Sequence, residues 1–322
     1  MDIYFYEAFD EEARLLQKFM PEGIEAGYTW KTIQESGHDS PPARLISLRT
    51  QSLIPVQWSG QLQGILSRST GYDHILRWLA GTNGPVQCGY LPLYCNRSVA
   101  EQALTLWMAL LRKLPMQIGN FRHFHRDGLT GRENEGKVLM VVGVGNIGYE
   151  VVKIGRGLGM EVLGVDIVQK HPDVHYVAPE EGIARADIVV SAMNLTAQNR
   201  AYFHYDFLKR AKPGLIFVNI ARGELSPSTD LLRLLKEGHL GGIAIDVYDS
   251  ESELAVSLRA GTSSGNAEVN ATLELAKMPN VIMTPHNAFN TLEAVERKSS
   301  QSVEQVEHFL RAGAFLWPVP AE

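Results

Sequence analysis

Apolar positions along this chain fall into two rhythms. Short apolar runs at Val138–Val142, Val162–Asp166, Ile188–Met193, Leu215–Ile220, Ile243–Val247 and Val281–Met283 read as buried strands. Helical spacing fills most of the gaps, with a helix predicted from Ile147 to about Leu158 and a long one from Thr291 to Leu310. Nearer the N-terminus, Ile3–Phe9, Arg44–Leu48 and Gln63–Ser67 predict short strands, and Glu11–Phe19 an amphipathic helix. A further helix is predicted from Ser98 through Ala103, Leu104, Trp107, Met108, Leu110 and Leu111, with Pro115 just past its end. Ser98 reads as its N-cap and Glu101, three residues on, completes a capping box. Strands alternating with helices imply a parallel sheet covered on both faces.

A glycine-rich strand-to-helix turn falls in the middle of the chain. That places a nucleotide domain over 97–290 and leaves 1–96 and 291–322 to fold together as a smaller α/β domain. The chain would cross between them twice, and a cleft between domains is a common ligand site. Its 322 residues suit about two domains, and 45% hydrophobic with 20% charged residues is an ordinary globular profile. The net charge of −6 gives no broad basic face, which argues against nucleic-acid binding. Two cysteines, Cys88 and Cys95, make no disulfide framework and fit a reducing compartment. Met1-Asp2-Ile3-Tyr4 lacks the features of a signal peptide, and no apolar run approaches the roughly 20 residues that span a bilayer. The expectation is a cytoplasmic protein with no membrane partner and no metal.

Residues 143–148 read Gly-Val-Gly-Asn-Ile-Gly, directly after a buried strand and at the start of a helix. In such a turn Gly143 permits the tight bend, Gly145 lets the backbone approach a pyrophosphate, and Gly148 lets helix and sheet pack closely. Phosphates would meet the free N–H groups and positive dipole of the helix N-terminus. Asp166 ends the next strand, where a carboxylate accepts hydrogen bonds from ribose hydroxyls and repels a 2′-phosphate. NAD is therefore expected rather than NADP.

Three further segments follow strand ends on the same side of the predicted sheet. They are Val218-Asn219-Ile220-Ala221-Arg222-Gly223, Ile245-Asp246-Val247-Tyr248-Asp249-Ser250-Glu251 and Thr284-Pro285-His286-Asn287-Ala288-Phe289. Ligands of open α/β sheets bind outside the carboxyl ends of strands. A guanidinium grips a carboxylate bidentately, so Arg222 suits a 2-keto acid. His286 suits the proton that the carbonyl oxygen gains as hydride reaches carbon, and Glu251 suits the carboxylate that fixes its tautomer. Taken singly, an Arg after a strand is more often a surface charge, and one of ten histidines at a strand end says little. Behind a dinucleotide turn, the three together point to chemistry.

In this order, the glycine turn, the Asn-Ile-Ala-Arg-Gly stretch, the Asp-Val-Tyr stretch with Glu251 and Thr-Pro-His-Asn-Ala-Phe resemble the D-isomer-specific 2-hydroxyacid dehydrogenases. The likeness covers most of the chain and is nearest to the D-lactate dehydrogenase branch. It implies a Rossmann-type, doubly wound parallel-sheet domain inserted into a smaller flavodoxin-like α/β substrate domain. It also implies a homodimer that uses NAD to interconvert a small 2-keto acid and its D-2-hydroxy acid. Catalytic roles then fall on Arg222, Glu251 and His286. Cofactor contacts fall on Asn146, Ile147, Asp166, Met193, Asn194, Asn199, Ile220, Ala221 and Asp246, the last toward the nicotinamide carboxamide.

In the front domain, Arg68-Ser69-Thr70-Gly71-Tyr72-Asp73-His74-Ile75 resembles the family's substrate loop, whose backbone N–H groups near Thr70 and Gly71 would hold the substrate carboxylate. Ser98-Val99-Ala100-Glu101 resembles the start of its interdomain helix. Tyr94 and Phe289 fall where the branch places aromatic groups around a small substrate, and Ser252 and the stretch 253–278 also suit that branch. Cys95-Asn96-Arg97 and His74 depart from it. Arg97 reads either as a surface charge or as a selector for a longer acidic substrate. Formate dehydrogenases share the fold but pair glutamine with histidine, which Glu251 argues against. Phosphoglycerate or phosphite oxidation on the same residues, and a non-enzymatic NAD-sensing corepressor-like scaffold, are the alternatives.

Overall fold

Two parallel sheets organise the chain in the computed structural model, which describes residues 1–82, 84–262 and 264–320. One compact unit comprises Met1–Cys95 with Asn290–Glu322, and the other comprises Asn96–Phe289.

The first unit opens with β1 (Ile3–Phe5), α1 (Asp10–Phe19), β2 (Ala26–Tyr28), α2 (Ile33–Ser36), β3 (Leu45–Leu48), β4 (Gly64–Ser67), α3 (Asp73–Leu79) and β5 (Gln87–Gly89). Its five strands run parallel in the order β2-β1-β3-β4-β5. The central strands β3 and β4 are buried along their whole length, as continuous apolar runs in a doubly covered sheet should be. Tyr6, Ile46, Trp58, Ile65 and Ile75 fill one side of that core. The first strand is shorter than the expected Ile3–Phe9. Glu7 turns left-handed at φ 54°, and its buried carboxylate accepts the backbone N–H groups of Arg49, Gln51 and Ser52, which ends the ladder.

The second unit contains α4 (Asn96–Leu111), α5 (Leu114–Asn120), β6 (Val138–Val142), α6 (Asn146–Gly157), β7 (Glu161–Val165), β8 (His175–Tyr176), α7 (Pro179–Arg185), β9 (Ile188–Ser191), α8 (Tyr205–Leu208), β10 (Leu215–Asn219), α9 (Ser228–Lys236), β11 (Leu240–Ile245), α10 (Glu251–Ala260), α11 (Ala267–Leu275) and β12 (Val281–Met283). Its seven strands are parallel in the order β12-β11-β10-β9-β6-β7-β8. From β6 the chain winds outward to β7 and β8, then returns to β9 on the other side and winds outward to β12. The strand order therefore reverses between β6 and β9, the kind of switch point where α/β sheets bind ligands.

The capping box expected at Ser98 and Glu101 does not form. Helix α4 begins two residues earlier, at Asn96, so Ser98 lies inside its first turn. The Ser98 hydroxyl instead donates to the Phe289 carbonyl at 3.2 Å, and Glu101 pairs with Arg97 one turn away at 2.6 Å. The chain returns to the first unit in α12 (Leu292–Ala312), where Thr291 accepts from Ala294 N as the N-cap and the helix packs on α1 and β4. Among the described residues, no helix is long and apolar enough to cross a membrane.

Candidate active site

The turn from β6 into α6 lies at the switch point. Gly143 takes φ 89°, and a Cβ there would fall 2.4 Å from the Met193 backbone, so the loop after β9 lies directly against the turn. A Cβ on Gly148 would fall 1.9 Å from the Gly143 carbonyl oxygen, so only glycine allows helix and strand to approach this closely. Gly145 is exposed, with open space where a Cβ would project. Asn146 and Ile147 follow it in the first turn of α6, where helix N–H groups favour an anion.

Asp166 stands just past β7. Its Oδ2 accepts Val144 N at 2.6 Å and its Oδ1 accepts Val168 N at 3.0 Å, so the carboxylate braces the glycine turn. Ile167 beside it is fully exposed and Val168 is 63% exposed. This apolar pair suits the flat face of a base, and no periodic pattern pointed to it. In the loop after β9, Asn199 donates to the Asn194 carbonyl at 2.7 Å and accepts from Thr196 N at 2.7 Å, which folds the loop holding Met193 and Asn194 back on itself. An open glycine cradle, a helix start and a carboxylate at the next strand end fit a dinucleotide. Replacing Asp166 with alanine is expected to weaken NAD binding about tenfold or more, the loss of a charge-assisted hydrogen bond. It should also narrow the preference for NAD over NADP. Kinetics with both cofactors check this, and an unchanged ratio would refute the role.

The other candidates follow β10, β11 and β12, three neighbouring strands. Asn219 is wholly buried at the end of β10. Its amide nitrogen donates to the Arg222 carbonyl and to Ser226 Oγ, both at 2.8 Å, and its oxygen accepts Ala221 N at 3.0 Å. This clamp shapes the turn through Ile220 and Ala221, both buried, and presents Arg222. After β11, Ser250 turns left-handed at φ 55° and Glu251 begins α10. After β12, His286 also takes a left-handed backbone, φ 51°. Its Nδ1 lies 2.9 Å from Glu251 Oε2, and both side chains keep about a quarter of their surface open, at 26% and 29%.

Asp246 is 1% exposed. Its carboxylate accepts Thr284 Oγ1, Asn287 N at 2.9 Å and Ala288 N at 2.9 Å, so it faces the turn that carries His286. Burial pushes this carboxyl above its ordinary range, against the pull of those three bonds. Phe289 follows on the same turn, half-buried.

In the first unit, Thr70 and Gly71 follow β4. Thr70 Oγ1 donates to the Leu91 carbonyl at 3.1 Å and lies 3.3 Å from Cys95 Sγ. Tyr94 is 4% exposed, and its carbonyl accepts Arg297 Nε at 2.9 Å. Burial pushes the Tyr94 phenol well above its ordinary range. His74 Nε2 lies 3.0 Å from Ser67 Oγ. Arg97 is a surface charge, set between Glu101 and Glu150. Among the described residues, no group of three or more His, Cys, Asp or Glu side chains could hold a metal ion.

Residues 104–288 match the family model described as "D-isomer specific 2-hydroxyacid dehydrogenase, NAD binding domain". The chain is 30% identical over 310 residues to a D-lactate dehydrogenase of Streptococcus agalactiae, an alignment covering 92% of this chain and 93% of that one. It is also 30% identical over 254 residues to a D-2-hydroxyacid dehydrogenase (NAD+) of Lacticaseibacillus paracasei, covering 76% and 74%. In fold it is similar to the D-lactate dehydrogenase of Aquifex aeolicus complexed with NAD and lactic acid. That TM-score is 0.86 at 24% identity, over 99% of this chain and 100% of the other. The chain belongs to the D-isomer-specific 2-hydroxyacid dehydrogenases, NAD-dependent oxidoreductases that interconvert 2-keto and 2-hydroxy acids.

Proposed function

We propose that this enzyme reduces a small, pyruvate-like 2-keto acid to the D-2-hydroxy acid, with His286 as proton donor and Arg222 as carboxylate ligand. The observation that carries this reading is the His286–Glu251 pair, 2.9 Å apart, at a strand end two places along the sheet from that of Arg222. Bound NADH supplies the hydride. Arg222 grips the substrate carboxylate and polarises the carbonyl. Glu251 accepts Nδ1–H of the imidazole, which leaves Nε2 to deliver a proton to the carbonyl oxygen as it gains charge. In the reverse direction the neutral Nε2 takes the proton from the hydroxyl. Asp246 meets the nicotinamide carboxamide alongside its bonds to the turn, and Met193, Asn194, Asn199, Ile220 and Ala221 line the cofactor site. Phe289, on the turn of His286, limits the substrate to a short side chain.

The same proposal takes the chain to act as a homodimer in the cytoplasm. Support for the dimer comes from Ile118, Phe121 and Phe124, which expose 66–75% of their surface in the segment after α4. Support for the compartment comes from Cys88 and Cys95, both buried free thiols.

NADH oxidation followed at 340 nm across 2-keto acids of increasing side-chain size tests the reading, with chiral chromatography of the product. Turnover falling as the side chain grows, with D product, is expected. L product, or turnover confined to phosphite or phosphoglycerate with NAD, would overturn it. NAD binding without any turnover would point to the scaffold instead.

A further inference from the structure

We infer that Tyr248 is a positioning residue that holds His286 in its left-handed conformation and couples it to the Arg222 turn. This rests on the roles proposed above for His286 and Arg222.

The Tyr248 hydroxyl lies 2.8 Å from the Thr284 carbonyl and 3.1 Å from the Ile245 carbonyl, and its single proton is shared between them, nearer to Thr284. The Thr284 carbonyl also accepts His286 N at 2.9 Å, and Thr284 N donates back to Ile245 O at 3.0 Å. The phenol and the His286 amide thus converge on one oxygen, whose two lone pairs they use. That amide bond skips a single residue, Pro285, in a tight turn. A non-glycine residue at φ 51° is strained and persists only where its surroundings over-determine it. Asp246 holds the turn from below through Thr284 Oγ1, Asn287 N and Ala288 N, and Tyr248 fixes the carbonyl from which it starts.

The backbone of Tyr248 makes the second link. A Cβ on Gly223 would fall 1.9 Å from the Tyr248 carbonyl carbon and 2.1 Å from Asp249 N. The residue after Arg222 therefore lies directly on the Tyr248 peptide, and Glu251 starts α10 three residues later. One tyrosine touches the turn of Arg222, precedes the helix start of Glu251 and bonds to the turn of His286. Burial first, then the Asp246 and Glu251 charges, push its phenol upward, so it remains a donor at any working pH.

A double-mutant cycle tests the inference on the full chain with saturating NADH. Tyr248→Phe keeps the ring and removes the hydroxyl. In the wild-type background it should lower kcat about tenfold, the effect of one hydrogen bond of about 1.4 kcal/mol, with KM for NADH and Tm little changed. In the His286→Ala background it should cost nothing further, because Tyr248 acts through His286. An equal loss in both backgrounds, or no loss in the first, would overturn the inference. So would a fall in kcat matched by a fall in Tm. Tyr205→Phe, which removes a surface hydroxyl bonded to Glu237, is the matched control. Full activity in His286→Ala alone is a separate outcome. It overturns the assignment of His286 and the positioning role with it.

Discussion

Replacing His286 with alanine lowers kcat for 2-keto acid reduction by about 10²–10⁴, while NADH still binds. The two carboxylates bonded to it and to its turn are already engaged. Glu251 lies on Nδ1 and Asp246 is committed to backbone N–H groups, so water becomes the proton source. The size of the effect separates two explanations. A thousandfold loss is about 4 kcal/mol, whereas a lost neutral hydrogen bond costs about 0.5–1.5 kcal/mol. A loss beyond roughly tenfold therefore indicates proton transfer rather than packing. NADH binding is retained because the glycine turn follows β6, separated from β12 by β9, β10 and β11. Steady-state absorbance at 340 nm and a fluorescence titration with NADH measure the two separately. Unchanged kcat would remove His286 from the mechanism, and lost NADH affinity would assign it to the cofactor site instead.

What the chain reveals without coordinates divides along a physical line. Strands such as β6, β9 and β10, buried over all or nearly all of their length, are legible because each carries a run of consecutive apolar residues, and their order follows from alternation with helices. The glycine turn is legible because Gly143 and Gly148 answer steric demands that no other residue meets. Glu251 is singled out in sequence as the carboxylate for His286, and the two lie in contact. The supports of these residues are not legible. Asn219 clamps the Arg222 turn and Tyr248 holds that of His286 through hydrogen bonds to backbone atoms, which leave no periodic trace. β2, β5 and β8 are two or three residues long and depend on neighbours for pairing, so local pattern does not announce them. The charge cluster of the first unit is hidden for a further reason. Arg68 reads in sequence only as the first residue of the substrate-loop stretch, yet it is wholly buried, with Nε on Glu12 at 2.8 Å and its other nitrogens on Ser47 Oγ and the Tyr6 carbonyl. Its partner carboxylate is 56 residues away.

That cluster makes the second large prediction. Replacing Glu12 with glutamine should destabilise the unit of residues 1–95 and 290–322 by about 3–5 kcal/mol at neutral pH. Glu12 Oε1 meets Arg68 Nε at 2.8 Å and Oε2 meets Lys298 Nζ at 2.9 Å, with all three side chains at most 4% exposed. A neutral amide would leave two buried cations facing each other. Burial alone pushes the Glu12 carboxyl up, but the charges of Arg68, Lys298 and Arg49 outweigh it and hold it at about 2. Because that lies below the ordinary value near 4.5, the stability it contributes is complete above pH 4.5 and lost as pH falls toward 2. The variant lacks that acid limb. Burial pushes Lys298 down to about 8, against the upward pull of Glu12. The folded chain then binds fewer protons than the unfolded chain between pH 8 and the ordinary lysine value of 10.5, and the contribution of Lys298 rises with pH across that window. Without Glu12 the lysine discharges at lower pH, so the deficit of the variant should shrink between pH 6 and pH 9. Urea titrations read by tryptophan fluorescence report mainly on this unit, because Trp30, Trp58, Trp78 and Trp317 lie in it and only Trp107 of the five lies in the other. Equal midpoints at pH 6, or an unchanged acid limb, would show that the cluster does not hold the unit together. Lys298→Met should cost less than Glu12→Gln, because the charges of Arg68 and Arg49 still face Glu12, whereas Glu12→Gln removes the carboxylate that Arg68 Nε and Lys298 Nζ share.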